Sequence, residues 1–204
     1  YDATHLGHAA TYVTFDLINR YLRYSGAQVR FVENITDIDD PLLERAHRDG
    51  VDWKDLALSQ IELFRGDMVA LHVIPPDSYV GVVEAMEIII DSISKLKDCG
   101  SLYTVDDDLY FRVRLDPEFL LRTHLSPEVA MQFFGERGGD PQREGKEDPF
   151  DALVWRAKRP GEPGWPSPFG VGRPGWHIEC SAIALHFLKP NPADEYAIDI
   201  QGGG

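Results

Sequence analysis

The sequence has 204 residues, of which 43% are hydrophobic, and its formal net charge is −14. This length fits one domain, or one domain with an insert, and the composition is sufficient for a core. The acidity disfavours broad nonspecific nucleic-acid binding, which depends on Lys and Arg. No apolar run of about 18 residues occurs, which argues against a membrane-spanning helix. The two cysteines, Cys99 and Cys180, predict no disulfide framework, and we expect a cytoplasmic protein.

An amphipathic helix is predicted from the first residues of the chain. Its apolar positions recur at helical spacing, at Ala9, Val13, Leu17 and Tyr21. Thr4 is the predicted N-cap, and His5 and His8 then fall in the first turn. Free backbone N–H groups and the helix dipole favour an anion there, and Gly7 permits close approach. We interpret this turn as a polyphosphate site, although the two histidines are equally explained as ordinary first-turn polar residues.

A buried strand is predicted over 28–34, followed by a polar stretch that ends at Pro41. Helix, strand and polar exit indicate a nucleotide-binding βα unit, in which ligands collect at the carboxyl ends of strands. Asn34 and Thr36 lie at that end. Asp37, Asp39 and Asp40 also fit an N-terminal capping cluster for the next helix. Their spacing matches no EF-hand loop, so a dedicated Mg²⁺ site is disfavoured.

The rest of the chain alternates between periodic segments and regions rich in Gly and Pro. Further helices are predicted over 41–49, 53–72, 82–97 and 176–188. Further strands are predicted over 102–105, 109–113, 151–156 and 196–200. Asp106-Asp107-Asp108 is interpreted as a solvated hairpin turn, and 159–175 as a long irregular loop. We expect a first half of a sheet domain at 1–97, an insert at 98–147, and an incomplete second half at 148–204.

Four segments occur in order along the chain: HLGH at 5–8, NITDIDD at 34–40, GEPGWPSPFGVGRPGWHIECS at 161–181 and DIQGGG at 199–204. Together they resemble the catalytic domain of cysteinyl-tRNA synthetase and its relatives, within the class I aminoacyl-tRNA synthetase superfamily. HLGH resembles the HIGH signature of that superfamily, and its KMSKS signature is absent here. The resemblance implies an α/β, Rossmann-like class I catalytic domain with a connective insert. Because the chain starts without Met and ends on three glycines, we expect a domain truncated at both ends.

Two branches of that superfamily compete, one charging tRNA and one serving mycothiol biosynthesis. Ala3-Thr4 before the first histidine, ERGGDP at 136–141 and Gln201 favour the mycothiol-pathway ligase. The resemblance then implies ATP-dependent ligation of L-cysteine to the amine of glucosaminyl-inositol, through a cysteinyl-adenylate, with AMP and diphosphate as products. Cysteinyl-tRNA synthetase is the alternative, although tRNA is disfavoured as a partner. A non-catalytic nucleotide-binding fragment is the second alternative.

The resemblance also implies roles for individual residues. His5 and His8 are the expected catalytic residues, which stabilise charge at the α-phosphate of ATP, itself bound with Mg²⁺. Cys180 is the expected ligand of a Zn²⁺ that binds the substrate thiolate, the remaining zinc ligands lying outside this chain. The roles of His177 and Glu179 stay open, and we expect the chain alone to be inactive. The expected substrate-binding residues are Thr11, Asn34, Ile35, Thr36, Trp176, Gly202, Gly203 and Gly204.

Overall fold

The computed structural model describes residues 5–189, 200 and 202. The described helices are α1 (Leu6–Tyr24), α2 (Asp40–Asp49), α3 (Trp53–Ala70), α4 (Met86–Asp98), α5 (Pro127–Glu136) and α6 (Trp176–Phe187). The described strands are β1 (Val32–Ile35), β2 (Ser78–Gly81), β3 (Leu102–Val105), β4 (Asp108–Phe111), β5 (Ala152–Ala157) and β6 (Gly172–Pro174). Thr4, Gln201, Gly203, Gly204 and most of the predicted strand at 196–200 lie outside the described residues.

Two compact units make up the chain. The first comprises Tyr1–Ala85 and Ile183–Gly204, and the second comprises Met86–Ala182. In the first unit β1 pairs with β2 in parallel, and α2 and α3 connect the two strands. A parallel pair joined through helices is the predicted βα arrangement. β1 begins four residues later than the predicted strand, and β2 lies between the predicted helices 53–72 and 82–97, where no strand was predicted.

Helix α1 buries two polar side chains rather than its whole apolar stripe. Asp16 and Asn19 are 7% and 5% exposed, whereas Leu17 and Tyr21 are 62% and 69% exposed. The Asp16 carboxylate accepts hydrogen bonds from the Ile74 backbone N–H at 2.9 Å and from Arg20 Nε at 2.6 Å. Because a buried carboxylate needs such partners, the turn that follows α3 determines which face of α1 is covered.

The second unit contains an antiparallel sheet of four strands in the order β3-β4-β5-β6. Trp155 and Tyr110 lie in its core with 0% and 1% exposure. Asp151 is also buried, and it accepts hydrogen bonds from Tyr103 Oη at 2.7 Å and from the backbone N–H groups of Val113 at 3.0 Å and Asp148 at 2.9 Å. This satisfied carboxylate joins β3 to the segments that precede β5.

The prediction of an irregular loop over 159–175 is wrong in part. The Gly- and Pro-rich segment is partly regular, because β6 pairs with β5 and Trp165 forms an isolated bridge with Gly172. A Cβ at Gly172 or Gly175 would meet the backbone of β5, so these glycines permit the strands to approach closely. Helix α5 likewise forms within 98–147, where the sequence is polar and contains many Gly and Pro residues.

The Asp106-Asp107-Asp108 turn is not uniformly solvated. Asp108 is 3% exposed, and its carboxylate pairs with Arg159 at 2.7 Å and Arg143 at 3.4 Å. It also accepts a hydrogen bond from the Ala157 backbone N–H at 2.9 Å. The prediction of a solvated turn is therefore wrong for Asp108, whose buried charge is compensated by cations and an amide. The predicted three-part division of the chain at 97 and 147 stays a prediction.

Candidate functional site

His5 and His8 close the N-terminus of α1 on itself. His5 is the N-cap, and its Nδ1 accepts a hydrogen bond from the Gly7 backbone N–H at 3.0 Å. The His5 backbone N–H in turn donates to His8 Nδ1 at 3.4 Å, which completes a capping box, and the two rings are 4.1 Å apart. The prediction of Thr4 as the N-cap is wrong. First-turn N–H groups that we expected to be open to an anion are occupied by imidazoles.

These hydrogen bonds define the tautomer of each ring. In a neutral imidazole one nitrogen accepts and the other donates, so acceptance at Nδ1 leaves the proton on Nε2. Burial, and then the neighbouring His5, lower the pKa of His8 below its ordinary value, which favours its neutral form. The first turn therefore presents imidazole Nε2–H donors, while the Gly7 backbone N–H is taken up by the His5 ring.

Gly7 is required by the His5 cap. A Cβ at this position would lie 2.7 Å from Cε1 and 2.9 Å from Nδ1 of His5. Any side chain there would push the imidazole away from the first turn. The sequence explained Gly7 by close approach of a ligand, whereas the described contact is with the neighbouring histidine.

An open groove of about 480 Å³ lies beside this turn, between α1 and the C-terminal end of α3. His5, Leu6 and Ala9 line one side, and Asp67, Ala70 and Leu71 line the other. Its apolar surface and the Asp67 carboxylate do not suit a polyphosphate. The Nε2–H donors, rather than this groove, are therefore the groups of this turn that are able to donate hydrogen bonds to an anion.

Thr11 lies one turn further along α1. Its hydroxyl donates to the Gly7 carbonyl at 3.2 Å, so the hydroxyl oxygen remains available as an acceptor. Phe15 follows at helical spacing on the same face. Gly202 packs against the Phe15 ring so closely that a Cβ at Gly202 would overlap it. The structure thus brings the first glycine of the final glycine run to the face of α1 that carries Thr11.

The predicted residues 34–36 lie at the end of β1. Asn34 and Ile35 pair in register with Val80 and Gly81 of β2, and Thr36 follows directly. All three positions are half-buried. They lie at the carboxyl end of a parallel strand, which is where ligands collect in α/β sheets.

The acidic residues that follow have structural partners. Asp39 is the N-cap of α2 and accepts a hydrogen bond from the Leu42 backbone N–H at 2.9 Å, which confirms the predicted capping role. The Asp37 carboxylate accepts from the Val83 backbone N–H at 3.0 Å. A Cβ at Gly81 would lie 2.7 Å from Asp37 Oδ2, so the glycine makes room for this bond.

A carboxyl between the predicted site residues was not anticipated. Glu33 is hydrogen-bonded to the Tyr12 hydroxyl, and burial raises the pKa of Glu33 to about 7. Burial likewise raises the pKa of Tyr79 to about 12, and Arg65 lies 4.3 Å from the centre of the Tyr79 ring. The available signal in the sequence was Glu33 itself, an acidic residue inside a predicted buried strand and next to Asn34.

Trp176 and Cys180 belong to the second unit, where they occupy consecutive turns of α6. The Trp176 side chain is 41% exposed, and Cys180 is exposed with its Sγ 3.9 Å from the Trp176 carbonyl oxygen. Glu179 between them is 2% exposed, whereas His177 is exposed. Within residues 5–189, 200 and 202, no three His, Cys, Asp or Glu side chains converge in a way that could hold a metal ion.

The sequence comparisons place the chain in a known class. The profile of the family described as tRNA synthetases class I (C) catalytic domain matches residues 1–204, and the chain belongs to this family. Membership confirms the predicted α/β class I catalytic fold. None of the helices in the described part of the chain combines the length and apolarity that a membrane crossing requires.

Comparison with individual relatives points to a narrower group within this family. The chain is 61% identical to a protein of Frankia alni, 60% to one of Parafrankia sp. and 59% to one of Kribbella flavida, in each case over 100% of this chain. Each of these relatives is named L-cysteine:1D-myo-inositol 2-amino-2-deoxy-alpha-D-glucopyranoside ligase. The chain spans 48%, 45% and 49% of their respective lengths. The resemblance to the mycothiol-pathway cysteine ligases is confirmed.

Proposed function

We propose that the protein containing this chain joins L-cysteine to the amine of glucosaminyl-inositol in mycothiol biosynthesis. ATP and the cysteine carboxylate would give a cysteinyl-adenylate and diphosphate, after which the amine would displace AMP. The observation that carries this proposal is identity of 57–61% along the whole chain to proteins named for that ligation. ERGGDP at 136–141 is consistent with the same branch of the family.

The first turn of α1 supplies the groups for adenylate formation. Negative charge builds up on the α-phosphate as the carboxylate attacks it. His5 and His8 present Nε2–H donors at the positive end of a helix of 19 residues. Donors that are already oriented by capping bonds stabilise developing charge without reorganisation, which is the most effective form of this catalysis.

Other residues of the chain would hold the adenylate. Thr11 Oγ1, whose proton is directed to the Gly7 carbonyl, offers an acceptor for the cysteine ammonium group. Asn34, Ile35 and Thr36 would contact the adenylate at the end of β1, and Trp176 would form a wall of the cysteine pocket. Gly202, Gly203 and Gly204 would lie along the adenosine. All of these residues except Thr11 lie in the recognised segments, which supports their assignments.

A zinc ion would distinguish cysteine from serine, because a thiolate binds Zn²⁺ far better than a hydroxyl does. The described residues do not fit a complete zinc site, since Cys180 has no two further metal-binding side chains converging with it. We propose that Cys180 contributes one ligand and that the others come from outside this chain, while Mg²⁺ accompanies ATP.

Product analysis with the full-length protein tests the proposal. The protein is incubated with ATP, Mg²⁺ and radiolabelled cysteine, and with either glucosaminyl-inositol or tRNA(Cys). We expect a cysteinyl amide of the sugar and uncharged tRNA. Charging of tRNA without sugar product would identify a cysteinyl-tRNA synthetase. Absence of any cysteine-dependent ATP–pyrophosphate exchange would identify a non-catalytic nucleotide-binding protein.

A further inference from the structure

The ERGGDP segment at 136–141 adopts a fixed turn at the end of α5. Gly138 has a φ of +86°, a conformation that side chains disfavour. The Gly139 backbone N–H donates to the Phe134 carbonyl at 2.8 Å, and a Cβ at Gly139 would lie 2.6 Å from the Phe134 ring. Gly138 is therefore required by the conformation of the turn, and Gly139 is required by its close packing against Phe134.

Gly138 lies against the indole of Trp176. A Cβ at Gly138 would lie 3.2 Å from Cζ3 and 3.4 Å from both Cε3 and Cη2 of that ring. All three atoms belong to the six-membered part of the indole, so the glycine backs the ring over an area rather than at one point. Any side chain at 138 would displace the indole by a few tenths of an ångström.

The other end of the turn is anchored in the core of the second unit. The Asp140 carboxylate accepts hydrogen bonds from the hydroxyl of the buried Tyr110 and from Lys146 Nζ, the latter at 2.9 Å. The Lys146 side chain is only 2% exposed, and its Nζ also donates to the Pro149 carbonyl at 2.8 Å. The Asp140 side chain is 37% exposed, but Lys146 is almost fully buried, so removing the Asp140 carboxylate would leave a buried ammonium without its anionic partner.

We propose that the segment 136–141 is a positioning element that holds the Trp176 indole in place, with Gly138 as its contact and Asp140 as its anchor. This inference rests on the proposed function, in which Trp176 forms a wall of the cysteine pocket. The segment does not touch the reacting atoms. It acts through Trp176, which is 41% exposed and therefore keeps part of its surface available for contact with a ligand.

The test compares two glycine variants in the full-length protein. Gly138→Ala adds a methyl group against the indole. Gly161→Ala is the matched control, since Gly161 has a φ of +83° in the same unit but no atom within 4 Å of a Cβ. Both variants suffer similar backbone strain, and only Gly138→Ala displaces Trp176.

In cysteine-dependent ATP–pyrophosphate exchange, Gly138→Ala should raise the KM for cysteine by roughly five- to tenfold, because small misplacements in a site have large effects. The KM for ATP should change by less than about twofold, an effect as small as that of most surface substitutions. Gly161→Ala should leave both constants near their original values. Equal cysteine KM values in the two variants would overturn the proposal.

A spectroscopic measurement keeps this test independent of catalysis. With fluorotryptophan incorporated, the ¹⁹F resonance of Trp176 is assigned from its loss in Trp176→Phe. The resonance should shift in Gly138→Ala and stay in place in Gly161→Ala. An unshifted resonance overturns the positioning role even if activity changes. If the unmodified protein activates no cysteine, the proposed function fails, and the resonance still decides whether 136–141 holds the indole.

A second variant covers the case in which Gly138→Ala does not fold. Tyr110→Phe removes one hydrogen bond from Asp140 with little change in volume. We expect a change of the same kind, with the cysteine KM raised by about two- to threefold and the Trp176 resonance broadened or shifted. An unchanged cysteine KM together with an unchanged resonance would refute the anchoring role of Asp140.

Discussion

The Glu33 carboxyl is hydrogen-bonded to the Tyr12 hydroxyl and thereby joins β1 to α1 between two proposed site residues, Thr11 and Asn34. Burial raises the pKa of Glu33 from 4.5 to about 7, so the folded state favours its protonated form. Protonated Glu33 therefore makes the folded state more stable than ionised Glu33 does. This contribution to the free energy of unfolding is complete below about pH 4.5 and is lost as the pH rises through about 7.

Replacing Glu33 by Gln should remove this pH dependence. At pH 8 the variant no longer buries a charge, so its unfolding midpoint should rise by roughly 1–2 °C if the relief is about 1 kcal/mol, given the length of the relatives that the chain matches. At pH 5 the two proteins should differ little. The measurement is thermal unfolding of the full-length protein between these pH values. Glu62→Gln, at an exposed position of α3, is the control, and an equal response in both variants would contradict the prediction.

His5 and His8 cap the N-terminus of α1 and are also proposed to donate from Nε2–H to the α-phosphate. Variants that retain the cap separate these two roles. Asn at position 5 and Gln at position 8 both accept the capping hydrogen bonds but lack an Nε2–H donor. We expect His5→Asn and His8→Gln to slow cysteine-dependent ATP–pyrophosphate exchange by about 10²–10³-fold. Cysteine binding should change much less.

The stability of these variants provides the control. His5→Ala loses the cap as well as the donor, and it should destabilise the protein by about 1 kcal/mol relative to His5→Asn. Near-normal exchange in His5→Asn and His8→Gln would mean that the histidines serve only to begin α1.

The Asp106-Asp107-Asp108 turn contains a matched pair of test positions. The Asp108 carboxylate is almost fully buried and pairs with both Arg143 and Arg159. Asp108→Asn removes this negative charge from the two arginines. We expect a loss of roughly 2–4 kcal/mol, reduced from the range for buried pairs because both arginines are partly exposed. Asp107→Asn changes an exposed residue and should have an effect within about 0.5 kcal/mol. Denaturant unfolding measures the difference, and similar losses in both variants would contradict the described ion pairs.

Zinc content tests the assignment of Cys180. The full-length protein should retain one zinc ion after dialysis, and Cys180→Ser should release it, because serine is not readily deprotonated beside a metal at neutral pH. Cys99→Ser is the control, since Cys99 is exposed like Cys180 but lies outside the recognised segments. Zinc retained at full stoichiometry by Cys180→Ser would show that another residue supplies the ligand.

Local sequence signals predicted the elements that depend on nearby residues. Asp39 was expected to cap α2 because Asp and Pro41 begin helices, and α6 was predicted to begin directly after the Gly- and Pro-rich segment ends at Gly175. The burial of Asp16 was beyond such signals, since its partner Ile74 is 58 positions away. The N-cap was misassigned because His5 is an unusual capping residue whose fit depends on Gly7. The environment of Glu33 similarly required the packing of Tyr12 and Tyr79, which periodicity does not reveal.

The close approach of Gly172 and Gly175 to β5 affects how mutagenesis of this region can be interpreted. Alanine at either position would push β6 off the sheet, and Trp176 begins α6 immediately afterwards. Gly170, by contrast, has open space around its Cβ position and is restricted only by its φ of +101°. A scan of 170–176 would therefore find the greatest intolerance where the backbone packs. Sensitivity at those glycines would measure the assembly of the sheet, whereas sensitivity at Trp176 would report on the proposed cysteine pocket.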